Sequence, residues 1–530
     1  MPNFGSWLSA DLQPDHITVA ADDGDRRLQP SSPGHWSSGD IAVAATIREG
    51  VLTVQLSAPT TTVKRLHVRW NLPSAIPSLR LLGDAWERGY GDLEWRGIAP
   101  ERAMPWYFAG HDGTRTFCLG VRTGAAAFCF WQVDSSGISL WADVRSGGQG
   151  LQLGGRVLDV CAVVARVSLP GESAFDALHA FCRAMCPLPR NPEHPLYGHN
   201  DWYYAYGRNS AETILADCHR TVALSPDGPN RPFTVIDAGW HPLPESGPWD
   251  RGNAEFPDMP GLASKIRDAG SRPGIWIRPL AAAPETPDSW RLPRDRQFLD
   301  PSLPEVREHV AADIARLHGW GYELIKHDFT TYDILGKWGF EMGASPTADG
   351  WSFAAGHGQT TAEVIGDLYR AIREGAGRSL VLGCNTVSHL TAGIFEANRI
   401  GDDTSGRKWD RTRKMGVNSL AFRAAQHGAF YAVDADCVGI TREIPWEKNR
   451  QWLDLVARSG TALFVSLAPD ANGPAEQEAL RAAFALAAKG PELGRPLDWM
   501  DTTNPRVWRF GKETDEYDWS GADGASPFPE

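Results

Sequence analysis

The chain has 530 residues, 42% hydrophobic and 22% charged, which is enough to bury a large core without staples and more than one average domain needs. Lys and Arg number 52 against 65 Asp and Glu, a formal net charge of −13; such a surface repels a polyanion and argues against nucleic acid as a partner. No apolar run approaches the roughly 20 residues of a membrane helix, and the opening MPNFGSWLSADLQPDHITVAADD lacks a basic start and an apolar stretch before a cleavage site, so a soluble, cytoplasmic protein is expected.

Residues 1–190 carry short alternating runs such as IAVAATI, VLTVQLSA, RLHVRW, TFCLGVRT, AAAFCFWQV and VCAVVARVSL, separated by Gly, Pro, Asp and Ser. That rhythm predicts a large antiparallel β-sandwich. A helical stretch, SAFDALHAFCRAMC (173–186), and the Pro-rich PLPRNPEHPLYG then mark a boundary near 190.

Residues 191–490 alternate strand with helix, which predicts a parallel sheet. The strands are GHNDWYYAY, FTVIDAGW, RPGIWIRPL, YELIKHDF, SLVLGCNTV, EANRIGDD, AFYAVDADCV and TALFVSLA. Eight such units have the size and rhythm of a (β/α)8 barrel. One helix is expected over 411–428, and the link between strands five and six is thin, with only SHLTAGIF available. Residues 491–530, rich in Pro, Gly and Asp, read as a strand pair and tail packed on the barrel.

The eight cysteines are scattered, and the one close pair, Cys182 and Cys186, has no second pair to build a zinc site. No strand end carries a His-x-His pair, so neither a metal nor another cofactor is expected. The 22 tryptophans offer faces for sugar rings, although core packing accounts for most of them.

In such a barrel the reactive groups lie at the C-terminal ends of the strands. Here those ends are polar: Asp201, Asp237, Arg278, Lys326 with Asp328, Cys384 with Asn385, Arg399 with Asp402 and Asp403, and Asp434 with Asp436. In ELIKHDF the alternation puts Lys326 and Asp328 on one side of the strand and His327 on the other. A lysine beside a carboxylate keeps it ionised, which suits a nucleophile; a purely structural Lys–Asp pair is the alternative. One of Asp402 and Asp403 can serve as general acid and base while the other hydrogen-bonds or caps the next helix; a plain helix cap and turn is the alternative. Two carboxylates from separate strands are what glycoside hydrolysis with retention requires.

FTVIDAGW, EFPDMPGLASKIRDAGSRPGIWIRPL, ELIKHDF, GCNTV and RIGDDTSG follow one another in the order and spacing of the α-galactosidase clan. The region resembles glycoside hydrolase family 36, with echoes of families 27 and 31. The resemblance implies that Asp328 is the nucleophile and that Lys326 contacts a ring hydroxyl. Asp237 and Trp240 would line the sugar pocket, and Cys384 and Arg399 would lie near the 2-hydroxyl. The family 27 spacing of an arginine four residues ahead picks Asp403 as acid/base, whereas the family 36 and 31 patterns align with Asp402, which is preferred at this point. Two departures bear on the sugar: Ala238 stands where α-galactosidases carry a second aspartate, and GCNTVSH replaces a Cys-Ser-Gly-Gly-Gly run. Oligosaccharides or other glycosides are the implied partners, and pairing into homo-oligomers is common in family 36.

The segment LLGDAWERGYGDLEWRG (81–97) is dense in Asp, Glu, Arg and aromatics. It reads as a loop over the barrel mouth in which Asp84 and Trp86 meet the substrate, or as a plain interface. Trp276 and Arg278 on strand three, His241 after strand two and Asp436 on strand seven are further candidates for sugar contact, with loop anchoring or barrel-mouth hydrogen bonding as the alternative for each. The reading is therefore a retaining exo-α-glycosidase. A transglycosylase and a sugar-binding barrel without catalysis are the alternatives.

Overall fold

The computed structural model describes residues 12–72, 79–244 and 246–520; the first residues of the opening peptide and the last ten of the expected tail lie outside them. Two antiparallel sheets open the chain. One has six strands, in the order Gly24–Arg27, His16–Ala21, Val63–Asn71, Gly137–Asp143, Phe128–Asp134, Met104–Pro105. The other has eight, running from Gln29–Ser32 at one edge to Arg80–Gly83 at the other. Strict alternation drives the packing: Ile17, Val19 and Ala21 on one sheet and Leu52, Val54 and Leu56 on the other turn inward and are buried. Strand Thr116–Val121 is buried at every position, because the helix Ala174–Met185 packs its Phe175, Leu178, Phe181 and Met185 stripe on the sandwich. Ser173 caps that helix by accepting from the Asp176 N–H at 3.1 Å.

The barrel follows. Its strands are β1 (Tyr197–Asn200), β2 (Phe233–Ile236), β3 (Arg272–Ile277), β4 (Leu324–His327), β5 (Leu380–Gly383), β6 (Ala397–Arg399), β7 (Ala432–Asp434), β8 (Val438–Ile440) and β9 (Leu463–Leu467), all parallel. The seventh strand expected from sequence is thus two. Asp436, at φ 74°, breaks it; β7 pairs with β6 and β8 pairs with β9. The ring closes where the Ala462 N–H donates to the Val433 carbonyl at 2.9 Å, so the two pieces share one stave of an eight-stave barrel.

The helix expected over 411–428 is also broken, into an α turn (Trp409–Arg411), a π-helical stretch (Thr412–Asn418), an α turn (Ser419–Arg423) and a 3-10 turn (Ala424–Gln426). Within it Asn418 donates from Nδ2 to the Leu93 carbonyl at 2.8 Å and accepts from the Leu93 N–H at 3.2 Å, so the segment receives the 81–97 loop. Widened turns of this kind recur at functional sites. The C-terminal segment forms a three-stranded sheet, Arg495–Pro496, Val507–Phe510 and Glu513–Glu516, one strand more than the expected pair. Among the described residues no helix is long and apolar enough to cross a membrane.

His327 points out of the barrel into an apolar layer, 5.7 Å from the Tyr369 ring and 5.5 Å from that of Phe395, with no hydrogen bond to either ring nitrogen. Burial lowers its pKa from 6.5 to about 3. The folded state therefore keeps it neutral, and acid protonates the unfolded chain first; stability from this group is lost as pH falls below 6.5. The loss is about 1.4 kcal/mol per pH unit. In His327→Phe the urea midpoint is expected to fall less steeply than in the wild type between pH 6.5 and pH 4; equal slopes would contradict this.

Candidate active site

Asp328 follows β4, and the next residue, Phe329, is left-handed at φ 66°, which turns the chain so that its N–H faces back onto the carboxylate. Asp328 Oδ1 accepts from the Phe329 N–H at 2.8 Å and from the Asn385 N–H, beyond β5, at 3.1 Å. Oδ2 accepts from Trp276 Nε1 of β3 at 3.0 Å. The carboxylate is thereby fixed in one rotamer, with Oδ1 taken by two backbone donors.

Lys326 does not pair with Asp328. Its Nζ donates to Asp237 Oδ2 at 2.7 Å, an oxygen that also accepts from Asn200 Nδ2 at 2.7 Å. Burial acts to lower the Lys326 pKa, but the Asp237 carboxylate overrides it and the ammonium is held well above its ordinary value. Beneath lies Asp201, which accepts from the Asp237 N–H at 2.8 Å; burial and the Asp237 charge push its carboxyl up to about 7. Arg278, beyond β3, forks onto Asp333 at 2.7 and 3.2 Å and lies 4.2 Å over the Phe329 ring.

Beyond β6, Arg399 Nη2 lies 2.8 Å from Asp403 Oδ1 and 2.7 Å from Asp436 Oδ2. Against burial, Arg399, Arg88 and Lys326 hold the Asp403 carboxyl below its ordinary value. Asp402 is bridged, Oδ1 to Arg88 at 3.0 Å and Oδ2 to Arg411 at 2.8 Å. Neither carboxylate caps a helix: the next one starts beyond Lys408, with no side-chain cap. Asp402 and Asp403 meet arginines instead.

Arg88 comes from the sandwich. Its loop is added to the barrel rim by backbone pairing: the Gly89 N–H donates to the Ile400 carbonyl at 2.8 Å, and the Asp402 N–H to the Gly89 carbonyl at 2.9 Å. Glycine is needed at Gly401, where a Cβ would sit 2.2 Å from the Met415 carbonyl oxygen; at Gly89 a Cβ would come 2.6 Å from Ser419 Oγ, a side-chain atom. Buried Arg423 clamps the junction, donating from Nη1 to the Glu87 and Ile400 carbonyls at 2.7 and 2.8 Å.

These groups enclose a cavity of about 220 Å3, walled by Arg88, Trp202, Asp237, Ala238, His241, Trp276, Arg278, Lys326, Asp328, Phe329, Trp338, Asp402 and Asp403. A larger groove, about 960 Å3, runs between helices Trp446–Ser459 and Pro474–Ala487 and the C-terminal sheet; no residue expected at the site lines it.

No family model matches the sequence. Solved structures do match the architecture. An α-galactosidase from Thermus thermophilus, in complex with p-nitrophenyl α-D-galactopyranoside, aligns at TM-score 0.61 and 18% identity over 95% of this chain and 99% of that one. A GH36 α-galactosidase from Geobacillus stearothermophilus, in complex with stachyose, aligns at 0.61 and 16% over 97% and 80%. The fold is that of the family 36 α-galactosidases. A GH31 sulfoquinovosidase from E. rectale, in complex with an aza-sugar inhibitor, shares it at TM-score 0.56 and 12% identity, over 94% and 86%.

On this α-galactosidase fold the cavity gathers eight of the residues picked from sequence: Asp237, His241, Trp276, Arg278, Lys326, Asp328, Asp402 and Asp403. Trp240, Cys384, Arg399, Asp84, Trp86 and Asp436 are not among its lining residues. Trp240 is fully buried behind the wall, its Nε1 donating to the Trp276 carbonyl at 2.9 Å. Cys384 and Arg399 lie one layer below, 3.4 Å apart. Asp84 is spent on Arg423 at 2.8 Å, and Trp86 is packed against Trp106 and Phe128 with its Nε1 on the Gly343 carbonyl at 2.8 Å. The loop does lean over the mouth, but through Arg88. Trp202, Phe329 and Trp338 were not anticipated; Trp338 lies in a segment without periodicity, stacked 4.6 Å from Tyr332.

Gly401→Ala forces its new methyl into the Met415 carbonyl and displaces both acidic side chains. It is expected to cost about 1–3 kcal/mol of stability and about 10²-fold in kcat/KM, read by thermal melting and by steady-state kinetics on the substrate that the wild type turns over. Wild-type values in both would show that the rim pairing is dispensable.

Proposed function

We propose that this protein is a retaining, exo-acting α-glycoside hydrolase of the α-galactosidase type. The observation that carries the reading is the pair of carboxylates, Asp328 and Asp403, on one cavity smaller than the ~300–1,000 Å3 of sites for drug-sized ligands. Such a cavity suits a single terminal sugar. Asp328 is the nucleophile: with Oδ1 held by two N–H groups, Oδ2 attacks the anomeric carbon as the glycosidic C–O bond breaks.

Asp403 is the acid/base. Both oxygens of Asp402 are on arginines, whereas Asp403 uses Oδ1 on Arg399 and its side chain is 42% exposed against 19% for Asp402. Its proton passes to the leaving oxygen; the carboxylate then takes one from water, which attacks the anomeric carbon and releases Asp328. Lys326 and Asp237 hold ring hydroxyls, and Trp276 and Trp202 supply apolar faces. With Ala238 in place of a second aspartate, one hydroxyl contact of the galactose-specific pocket is missing, so the sugar preference is broader than galactose.

The cations around Asp403 weaken its hold on the proton. The first step is then slow for basic leaving groups, and hydrolysis of alkyl glycosides is expected to rise as pH falls toward the lowered Asp403 pKa, with a steep dependence on leaving-group acidity. Nitrophenol release from α-galactoside, α-glucoside, α-N-acetylgalactosaminide and β-L-arabinopyranoside tests the reading. Activity on at least one is expected, and Asp328→Ala is expected to abolish it. Asp403→Ala is expected to lose about 10²–10⁴-fold on alkyl glycosides and less on nitrophenyl ones, a distinction that Asp402→Asn does not produce. A wild type inert on every sugar, or an active Asp328→Ala, would sink the proposal.

A further inference from the structure

Glu87 is fully buried where the sandwich loop meets two loops of the barrel. It faces three donors: the Tyr90 hydroxyl, the Gly339 N–H at 3.0 Å and the Nδ2 of Asn385. Asn385 is the residue whose backbone N–H holds Asp328 Oδ1 at 3.1 Å. Its remaining polar atoms are also engaged, Oδ1 by the Tyr332 N–H at 3.1 Å and the carbonyl by the Thr331 N–H at 3.2 Å. The turn after β5 is therefore fixed on one side by the segment after the nucleophile and on the other by Glu87. The next residue, Arg88, holds Asp402 at 3.0 Å.

Burying a carboxylate costs free energy that an apolar side chain filling the same gap would not. What an apolar side chain lacks is the acceptor that sets the rotation of the Asn385 amide. We propose that Glu87 is a positioning residue for the nucleophile: it fixes the Asn385 turn so that its backbone N–H stays on Asp328, and so makes the barrel's chemistry depend on the sandwich. Glu87 does not line the cavity. The inference rests on the reading of Asp328 as nucleophile.

A hydrogen bond to the ionised form of a carboxylate favours that form. Loosening the Asn385 turn weakens one such bond, and the acid limb of kcat/KM is expected to move upward. The charged and titratable groups facing Asp328 are Lys326 on its own strand, Cys384 at the end of β5, Asp333 with its partner Arg278, and Arg88, Asp402 and Asp403 across the cavity. Glu87, which burial pushes above its ordinary value and which lies 3.8 Å from Arg88 Nε, is itself removed in Glu87→Gln; Asn385→Ala and Tyr90→Phe leave it and all of these groups in the chain.

The test is a double-mutant cycle with Glu87→Gln and Asn385→Ala, followed by pH profiles on the best aryl α-glycoside. Glu87→Gln leaves one acceptor oxygen for three donors: kept on the Tyr90 hydroxyl and the Gly339 N–H, it turns its NH2 to the Asn385 amide. Each single variant is expected to lose about tenfold to about a hundredfold in kcat and to shift the acid limb upward by about half a unit to one unit. The double variant is expected to match the singles, because both break one link. Tyr90→Phe removes a single donor to Glu87 and shifts the limb in the same direction by less; it decides the matter if the buried variants do not fold. An unmoved limb with additive losses, in an enzyme that Asp328→Ala inactivates, would reduce Glu87 to loop packing. A wild type without glycosidase activity would instead remove the reading on which the proposal stands.

Discussion

A buried charge must be paired, and the mouth of this barrel is organised by that constraint. Four carboxylates converge on one small cavity: Asp237, Asp328, Asp402 and Asp403. Three are matched by cations from different strands or loops, Asp237 by Lys326, Asp402 by Arg88 and Arg411, and Asp403 by Arg399. Asp328 alone is held by neutral N–H donors. That difference suits it to attack: a carboxylate locked in an ion pair would surrender nucleophilicity, whereas one steered by backbone amides keeps an oxygen directed at the cavity.

One of those cations does not belong to the barrel. Arg88 arrives on a sandwich loop that is joined to β6 by backbone pairing at Gly89 and Gly401 and clamped by Arg423. The sandwich thus completes the charge balance of the site, and its position over the rim is a condition for the acidic pair to stay where it is. The split of the seventh strand at Asp436 belongs to the same arrangement. The left-handed turn there places the Asp436 carboxylate against Arg399 and the Thr404 N–H, both at 2.7 Å, and so fixes the turn that carries Asp402 and Asp403.

Much of this was legible in the chain. The parallel strands of the barrel and the alternating strands of the sandwich follow from hydrophobic periodicity, and polar residues following apolar strand cores marked the cavity floor. Periodicity says nothing of what interrupts an element, which is why the break at Asp436 and the π-helical stretch Thr412–Asn418 were not foreseen. Contacts across distant segments were equally hidden. Asp84, Trp86, Glu87 and Arg88 are all plausible pocket residues by type, and only the packing of Trp86 against Trp106 and Phe128, the pairing of Asp84 with Arg423 and the burial of Glu87 leave Arg88 as the one that reaches in. The family resemblance implies a place for Trp240 in the sugar pocket; the fold turns it behind Trp276, where it supports the wall.

The account turns on Asp328 forming a bond to sugar. The most direct measurement is peptide mapping by mass spectrometry after reaction with an activated 2-deoxy-2-fluoro α-glycoside, whose electron-poor ring slows release of the second step. The expected result is one glycosyl adduct per chain on the peptide containing Asp328, absent in Asp328→Ala. An adduct on another carboxylate, or turnover by a wild type that never accumulates one while its product emerges inverted, would contradict the account.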